Sequence, residues 1–310
     1  MRDRYIATAR IDWHGLGREA EDGEALEVGT SFGRCGFQGI RPEEAADLLN
    51  YMGEGTQGLA GEPLLFSARL LRVGPEGFKP ATPGLTYGVG ATAEAAYLYG
   101  FGTYGEIRLS PQVSVTAWLS EALPTWEVVE ALTNLHRVAS AYCLLAQGTL
   151  LIHSSGLLID GLAHIFIGHS GAGKSTLARR ALEAGHEVLS DDLNILWVRG
   201  NRLEALASPF AGELRDRAKP KTPRPVAGLY VLEKGEVQAL SPVSKGRMFQ
   251  RMLVNTPFIN ADPYRNLQLE APLSAMLARV PLHGLRVSLR EDPWHLLKAV
   301  AAQCHSMPLN

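Results

Sequence analysis

Cysteine is scarce in this chain. Cys35, Cys143 and Cys304 are three residues among 310, widely separated, odd in number and in no CxxC arrangement. That pattern supports neither a disulfide framework nor a zinc site, and it fits a reducing, cytoplasmic setting. Long apolar runs are missing as well. The opening MRDRYIATARIDWHG lacks the apolar core of a signal peptide, and no later run reaches the ~18 apolar residues of a membrane span. No contact with a bilayer is expected. Charge of one sign is also lacking: 30 Lys and Arg face 32 Asp and Glu, for a formal net charge of −2, so the basic footprint of a nucleic-acid binder is absent. There is no internal repeat and no low-complexity tail. What remains, 46% apolar and 20% charged residues, describes a folded soluble protein with room for two domains.

Residues 1 to about 124 are rich in glycine and turn signals, with one helical candidate, RPEEAADLLNYM (Arg41 to Met52), and short apolar runs such as PLLFSARLLRV. They carry no chemical motif and are expected to form a smaller N-terminal α+β domain, with substrate recognition as a candidate role. The segment from residue 125 onward is more explicit. Thr125 suits an N-cap, Glu127 lies in the first turn, and Val128, Leu132, Leu135, Val138, Tyr142 and Leu145 recur at helical steps until Gly148. TLLIHSSGLLIDGLAHIFIG then reads as two β-type runs meeting at Asp160-Gly161, a pair suited to a tight hairpin. STLARRALEA predicts a helix closed by Gly185, and HEVLSDD a short buried strand ending in two acids. Further hairpins are expected at Gly200-Asn201 and around Lys234-Gly235, which makes the sheet mixed. Asp292 and Pro293 open a last helix.

Between the predicted strand and helix, Gly168, Gly173, Lys174 and Ser175 fit GxxxxGK[ST]. Glycine is required there because backbone N–H groups must point at phosphate oxygens without a Cβ in the way, and the helix N-terminus adds partial positive charge. Gly168, Ser170, Gly171, Ala172, Gly173, Lys174, Ser175 and Thr176 are the expected nucleotide-binding residues. Lys174 would reach the terminal phosphates and Ser175 a Mg²⁺ ion. His169 is a solvent-facing filler of a variable loop position.

Nucleotide binding alone does not separate kinase, motor and switch. Asp191 and Asp192 follow the loop after only one helix and one strand. There is no LSGGQ-type signature, no apolar run ending in Asp-Glu and no NKxD motif. The neighbouring strand itself is therefore expected to bring two carboxylates to the phosphate, one for Mg²⁺ and one to accept a proton from an attacking hydroxyl.

The segment LIHSSGLLIDGLAHIFIGHSGAGKSTLARRALEAGHEVLSDDLNIL resembles the core of the HPr kinase/phosphorylase family and its compact relatives, whose phosphate loop is related to that of phosphoenolpyruvate carboxykinases. The shared elements are His153 before the loop, Gly168 to Ser175, Gly185-His186, and Asp191-Asp192. The resemblance implies an α/β kinase core of that type, with a mixed sheet, over residues 125–310. It implies Asp191 as catalytic base, Mg²⁺ on Asp192 and Ser175, and His153 orienting the catalytic acid. SPFAGEL (Ser208 to Leu214) sits where relatives carry a similar loop and offers Glu213 as a second metal ligand. Ser154 and Thr176 depart from the phosphocarrier kinases, and an EIRGLGI-like segment is missing. The implied acceptor is therefore a serine hydroxyl in a peptide, protein or small molecule, as in the peptide-tailoring kinases of the group, rather than HPr.

ATP is the expected donor, with GTP, ADP and pyrophosphate left open, and the family's habit implies a homo-oligomer. Arg215, Arg217, Lys219, Lys221 and Arg224 form a basic, proline-broken segment that reads as a solvated loop, with a phosphate-neutralising flap as the alternative. Arg215, or Arg247 and Arg251 on one helix face, could supply a transition-state arginine. The alternative functions are a nucleotide-binding regulatory protein with vestigial catalysis and a P-loop ATPase.

Overall fold

The computed structural model describes residues 16–30, 32–52, 63–74, 78, 87–100, 102–210, 212–214, 220, 222–288 and 290–306. The chain divides into two compact units, one of residues 1–28, 33–51 and 61–139, the other of 29–32, 52–60 and 140–310. Each contains a mixed sheet with helices, so the fold is α/β. Among the described residues no helix is long and apolar enough to cross a membrane.

In the first unit, β1 (Glu24–Thr30), β2 (Gly33–Ile40), β3 (Leu64–Val73), β4 (Gly88–Ala91), β5 (Ala95–Gly100), β6 (Thr103–Arg108) and β7 (Ser114–Ser120) form a sheet in the order β1-β2-β3-β7-β6-β5-β4. The pairs β2/β3 and β3/β7 are parallel, and β4 to β7 run antiparallel. Helix α1 (Pro42–Met52) forms where the sequence predicts a helix over Arg41 to Met52, and it starts on Pro42 with Glu43 and Glu44 in its first turn. Glu44 accepts from the Arg41 N–H at 3.0 Å and from Arg72 at 2.5 Å. Both members of that ion pair are 2% exposed, so neither charge could tolerate loss of the other. His136 is fully buried against Phe37 and Phe66, within 3.2 Å of the Cys35 sulfur.

Helix α2 (Thr125–Leu145) ends as expected on Gly148, which is left-handed at φ 69°. The Thr149 N–H donates to Leu144 O and the Gly148 N–H to Leu145 O, the paired bonds of a Schellman motif. The second unit's strands are β8 (Leu150–His153), β9 (Ser155–Ile159), β10 (Leu162–Ile167), β11 (Glu187–Ser190), β12 (Leu193–Arg199), β13 (Arg202–Ala207), β14 (Arg224–Lys234), β15 (Ala239–Pro242) and β16 (Leu282–Val287). Their order is β11-β9-β10-β14-β13-β12-β8, with β16 also on β14 and β15 on β16.

Two expectations need correction. The apolar run before Asp160 is two strands, parted at Ser154: β8 pairs with β12 and β9 with β10 and β11. The segment around Lys234-Gly235 is not a hairpin, because β15 pairs antiparallel with β16 while β16 runs parallel to β14. Strand pairing is non-local, and an apolar run does not name its neighbour. The Asp160-Gly161 and Gly200-Asn201 hairpins do form, with Asp160 at φ 52° and Gly161 at φ 78° as a two-residue hairpin turn demands.

Parallel pairing of β10, β14 and β16 sets their C-terminal ends together. Helices α3 (Lys174–Glu183) and α6 (Trp294–Ser306) cover one face: Leu177, Ala178 and Ala181 of α3 and Leu297 of α6 pack with Leu157, Phe166, Tyr230 and Leu285. The other helices are α4 (Lys245–Val254) and α5 (Glu270–Leu277). Within the covered face His164 is fully buried, bonded through Nδ1 to the Tyr230 hydroxyl at 2.8 Å, and its Nε2 has no partner.

Burial pushes His136 and His164 down from the ordinary 6.5 to about 3. Both are neutral in folded and unfolded chains above pH 6.5, while between pH 6.5 and 3 the unfolded chain binds the extra protons. Stability is therefore full at pH 7.5 and falls as pH drops below 6.5, by about 1.4 kcal/mol per histidine at pH 5.5. Urea unfolding at the two pH values should show this loss, and His164→Phe should reduce it. Equal midpoints at both would overturn the assignment.

Candidate functional site

Strand β10 hands the chain to Gly168, which lies directly against the loop it begins: a Cβ there would stand 2.8 Å from the Ala172 Cβ. The loop turns through left-handed Gly171 (φ 77°) and Gly173 (φ 102°), and the Ala172 N–H donates to His169 O at 3.1 Å. Helix α3 starts at Lys174 with no side-chain cap, and its first rung runs from the Leu177 N–H to Gly173 O. The N–H groups of Lys174, Ser175 and Thr176 thus precede the ladder, as at any helix N-terminus. Ser170, Gly171 and Thr176 are exposed, Ser175 is half-buried, and Ala172 is packed inside. His169 is exposed and its ring bonds Ser170 O.

Lys174 is only 7% exposed, and its ammonium donates to Gly168 O at 2.8 Å and His169 O at 3.4 Å, folded back across the loop. Burial lowers its pKa, and Asp192 acts in the opposite direction. His153, at the end of β8, is held by its own N–H on Asn255 O at 2.7 Å, and its Nε2 lies 3.5 Å from Asp192 Oδ1. Burial is the main cause lowering the His153 pKa, Lys174 adds to it, and Asp192 opposes. Lys174, His153 and Asp192 therefore form one electrostatically coupled group at the mouth of the loop. Asp192 is 30% exposed on its side chain.

Asp191 and Asp192 occupy the turn between β11 and β12 and diverge. Asp191 is 3% exposed, and its two oxygens accept the N–H groups of Gly212 at 3.2 Å and Glu213 at 2.8 Å. The carboxylate beside His153 is thus Asp192, whereas the resemblance implied that His153 would orient Asp191. Glu213 turns outward to Arg179 of α3 at 2.6 Å. Arg247 is bonded to Glu233. Arg224 opens β14, while Arg215, Arg217, Lys219 and Lys221 lie outside the described residues.

Sequence reasoning passed over several residues that build the site. Asn194 donates to Ser154 O at 2.7 Å and to Ser154 Oγ at 3.0 Å, and Gly156 leaves it room, since a Cβ there would sit 2.5 Å from Asn194 Oδ1. Ser190 Oγ serves the N–H groups of Asp192 and Leu193, and Ser208 Oγ donates to Leu193 O at 2.6 Å. A Gly two residues after the first strand break was the one local signal available; the serines and Asn255 carried none. Among the described residues no group of three or more His, Cys, Asp or Glu side chains could hold a metal.

The coupling predicts opposite responses of one imidazole. In ¹H–¹⁵N spectra recorded against pH, Lys174→Met should raise the His153 pKa and Asp192→Asn should lower it further, because each removes one of the two opposing charges. Shifts of the same sign would break the assignment.

No family model matches the chain, and no curated protein matches it. Among solved structures the chain is similar to the Hpr(Ser) kinase/phosphatase from Coxiella burnetii, at 11% sequence identity and a TM-score of 0.27, over 50% of this chain and 95% of that one.

Proposed function

We propose that the chain is a Mg²⁺-dependent phosphotransferase that moves the terminal phosphoryl group of a nucleoside triphosphate, with ATP the favoured donor, to a serine-type hydroxyl. The observation that carries the proposal is the convergence of a glycine loop opening a helix with a coupled lysine, histidine and aspartate. A loop of this kind suits a polyphosphate: left-handed glycines let successive N–H groups turn inward, and the helix end adds positive potential. The Lys174 ammonium, resting on two carbonyls, would exchange them for phosphate oxygens, a charged acceptor in place of neutral ones.

The donor set fits Mg²⁺. Ser175 and Asp192 offer hard oxygens, the ligand type that Mg²⁺ takes together with phosphate and water. Bound there, the ion would neutralise charge on the phosphates. The acceptor oxygen would form its bond to the terminal phosphorus as the bridging P–O bond breaks, the nucleoside diphosphate would leave, and the hydroxyl proton would pass to a carboxylate of the Asp191-Asp192 pair. His153 would hold the Asp192 carboxylate in place. Catalysis of this type is positioning plus charge stabilisation, which is what the loop and the pair supply.

The test is a ³¹P time course with Mg²⁺ and ATP, GTP, ADP or pyrophosphate against free serine and a pool of serine-containing peptides. The expected product is a new phosphoester, reduced about 10²-fold or more in Lys174→Ala. Nucleotide hydrolysis at the same rate with and without acceptors would support the ATPase reading instead. Tight binding with unchanged nucleotide under all conditions would support the regulatory one.

A further inference from the structure

Two adjacent carboxylates are rarely interchangeable once the chain is folded, and the environments of Asp191 and Asp192 differ in every respect. Asp191 is buried, and each of its oxygens receives a backbone N–H, from Gly212 and Glu213. The turn it holds is anchored again nearby: Ser190 Oγ donates to Phe210 O at 3.3 Å, and Arg179 grips Glu213. Gly212 presses close, since a Cβ at that position would come within 2.9 Å of Asp191 Oδ2. Asp192, by contrast, is part-exposed, faces His153 and is felt by Lys174.

We infer that Asp191 is a positioning residue which clamps the Gly212-Glu213 turn beside the site, and that Asp192, seated by His153, is the carboxylate that meets the metal–nucleotide and the acceptor proton. This rests on the phosphotransferase reading and departs from the order of roles that the resemblance implied. The physical reason is direction and access: Asp191 is 3% exposed and faces a backbone turn, whereas the Asp192 side chain is 30% exposed and faces His153. A base or metal ligand needs a lone pair directed at the reacting group. Each Asp191 oxygen points a lone pair at an amide of the Gly212-Glu213 turn and the side chain is almost closed to solvent, so withdrawing the carboxylate would take a partner from two part-buried amides. Asp192 has no such duty beyond His153.

The 310-residue chain, its Asp191→Asn, Asp192→Asn and Gly212→Ala variants, Mn²⁺ and the β,γ-imido analogue of ATP suffice for a test. Two quantities are read: Mn²⁺ affinity and line shape by electron paramagnetic resonance, and hydrogen exchange at the Gly212 and Glu213 amides. Asp192→Asn should weaken nucleotide-dependent Mn²⁺ binding by about tenfold or more while leaving the two amides protected. Asp191→Asn should do the reverse, with exchange faster by about tenfold and Mn²⁺ affinity within about threefold of the parent. Gly212→Ala, which presses a Cβ against the Asp191 carboxylate and pushes the turn off it while keeping both acids in the chain, should copy Asp191→Asn and serves in its place if that variant does not fold. Loss of Mn²⁺ in Asp191→Asn equal to that in Asp192→Asn, with Gly212→Ala binding normally, would overturn the inference. Absence of nucleotide-dependent Mn²⁺ uptake by the parent protein would overturn the phosphotransferase reading itself, and amide exchange alone would then decide the clamp.

Discussion

A single backbone hydrogen bond, from the Ser154 N–H to Asp192 O at 2.9 Å, is the joint on which the second unit's site depends. Ser154 is the residue at which the chain leaves β8, paired to β12, and enters β9, paired to β10. Closing that gap onto the β11–β12 turn opposes His153 to Leu193 in register and puts the His153 ring beside Asp192. Ser154 is fully buried, with Asn194 satisfying its carbonyl and hydroxyl, so loss of the bond would strand polar groups with no access to water. The cost of breaking it keeps the two carboxylates in one arrangement.

The second constraint is the parallel register of β10 with β14, and of β14 with β16. Parallel strands send their C-terminal ends to one edge, and there the chain emerges into the glycine loop. The apolar face beneath α3 fixes the helix axis, so the helix N-terminus points where the loop delivers it. Precision at the loop is thus a consequence of ordinary core packing several residues away, and the glycines are needed only where the backbone is left-handed or pressed against Ala172.

The electrostatics of the site are set by incomplete burial. His153 and Asp192 are part-exposed and Lys174 is nearly buried, and the three are shielded enough to feel one another. Lys174 rests on the carbonyls of its own loop, which fixes the ammonium across it. Asp191 illustrates the opposite case, a carboxylate buried so thoroughly that its value lies in the backbone it holds.

Features that depend on a few neighbouring residues were legible in the sequence. The glycine loop, the helix it opens, the closures at Gly148 and Gly185, and the hairpins at Asp160-Gly161 and Gly200-Asn201 all follow from backbone sterics within one or two turns, and the chain carries those constraints wherever it goes. So does the presence of two acids one strand beyond the loop. Which acid faces His153, which partner holds Glu213, where the apolar run breaks at Ser154, and which strand β15 joins were decided by tertiary structure. Each depends on groups far apart in the chain whose hydrogen-bonding and packing demands compete for the same space, and local sequence has no means of ranking them.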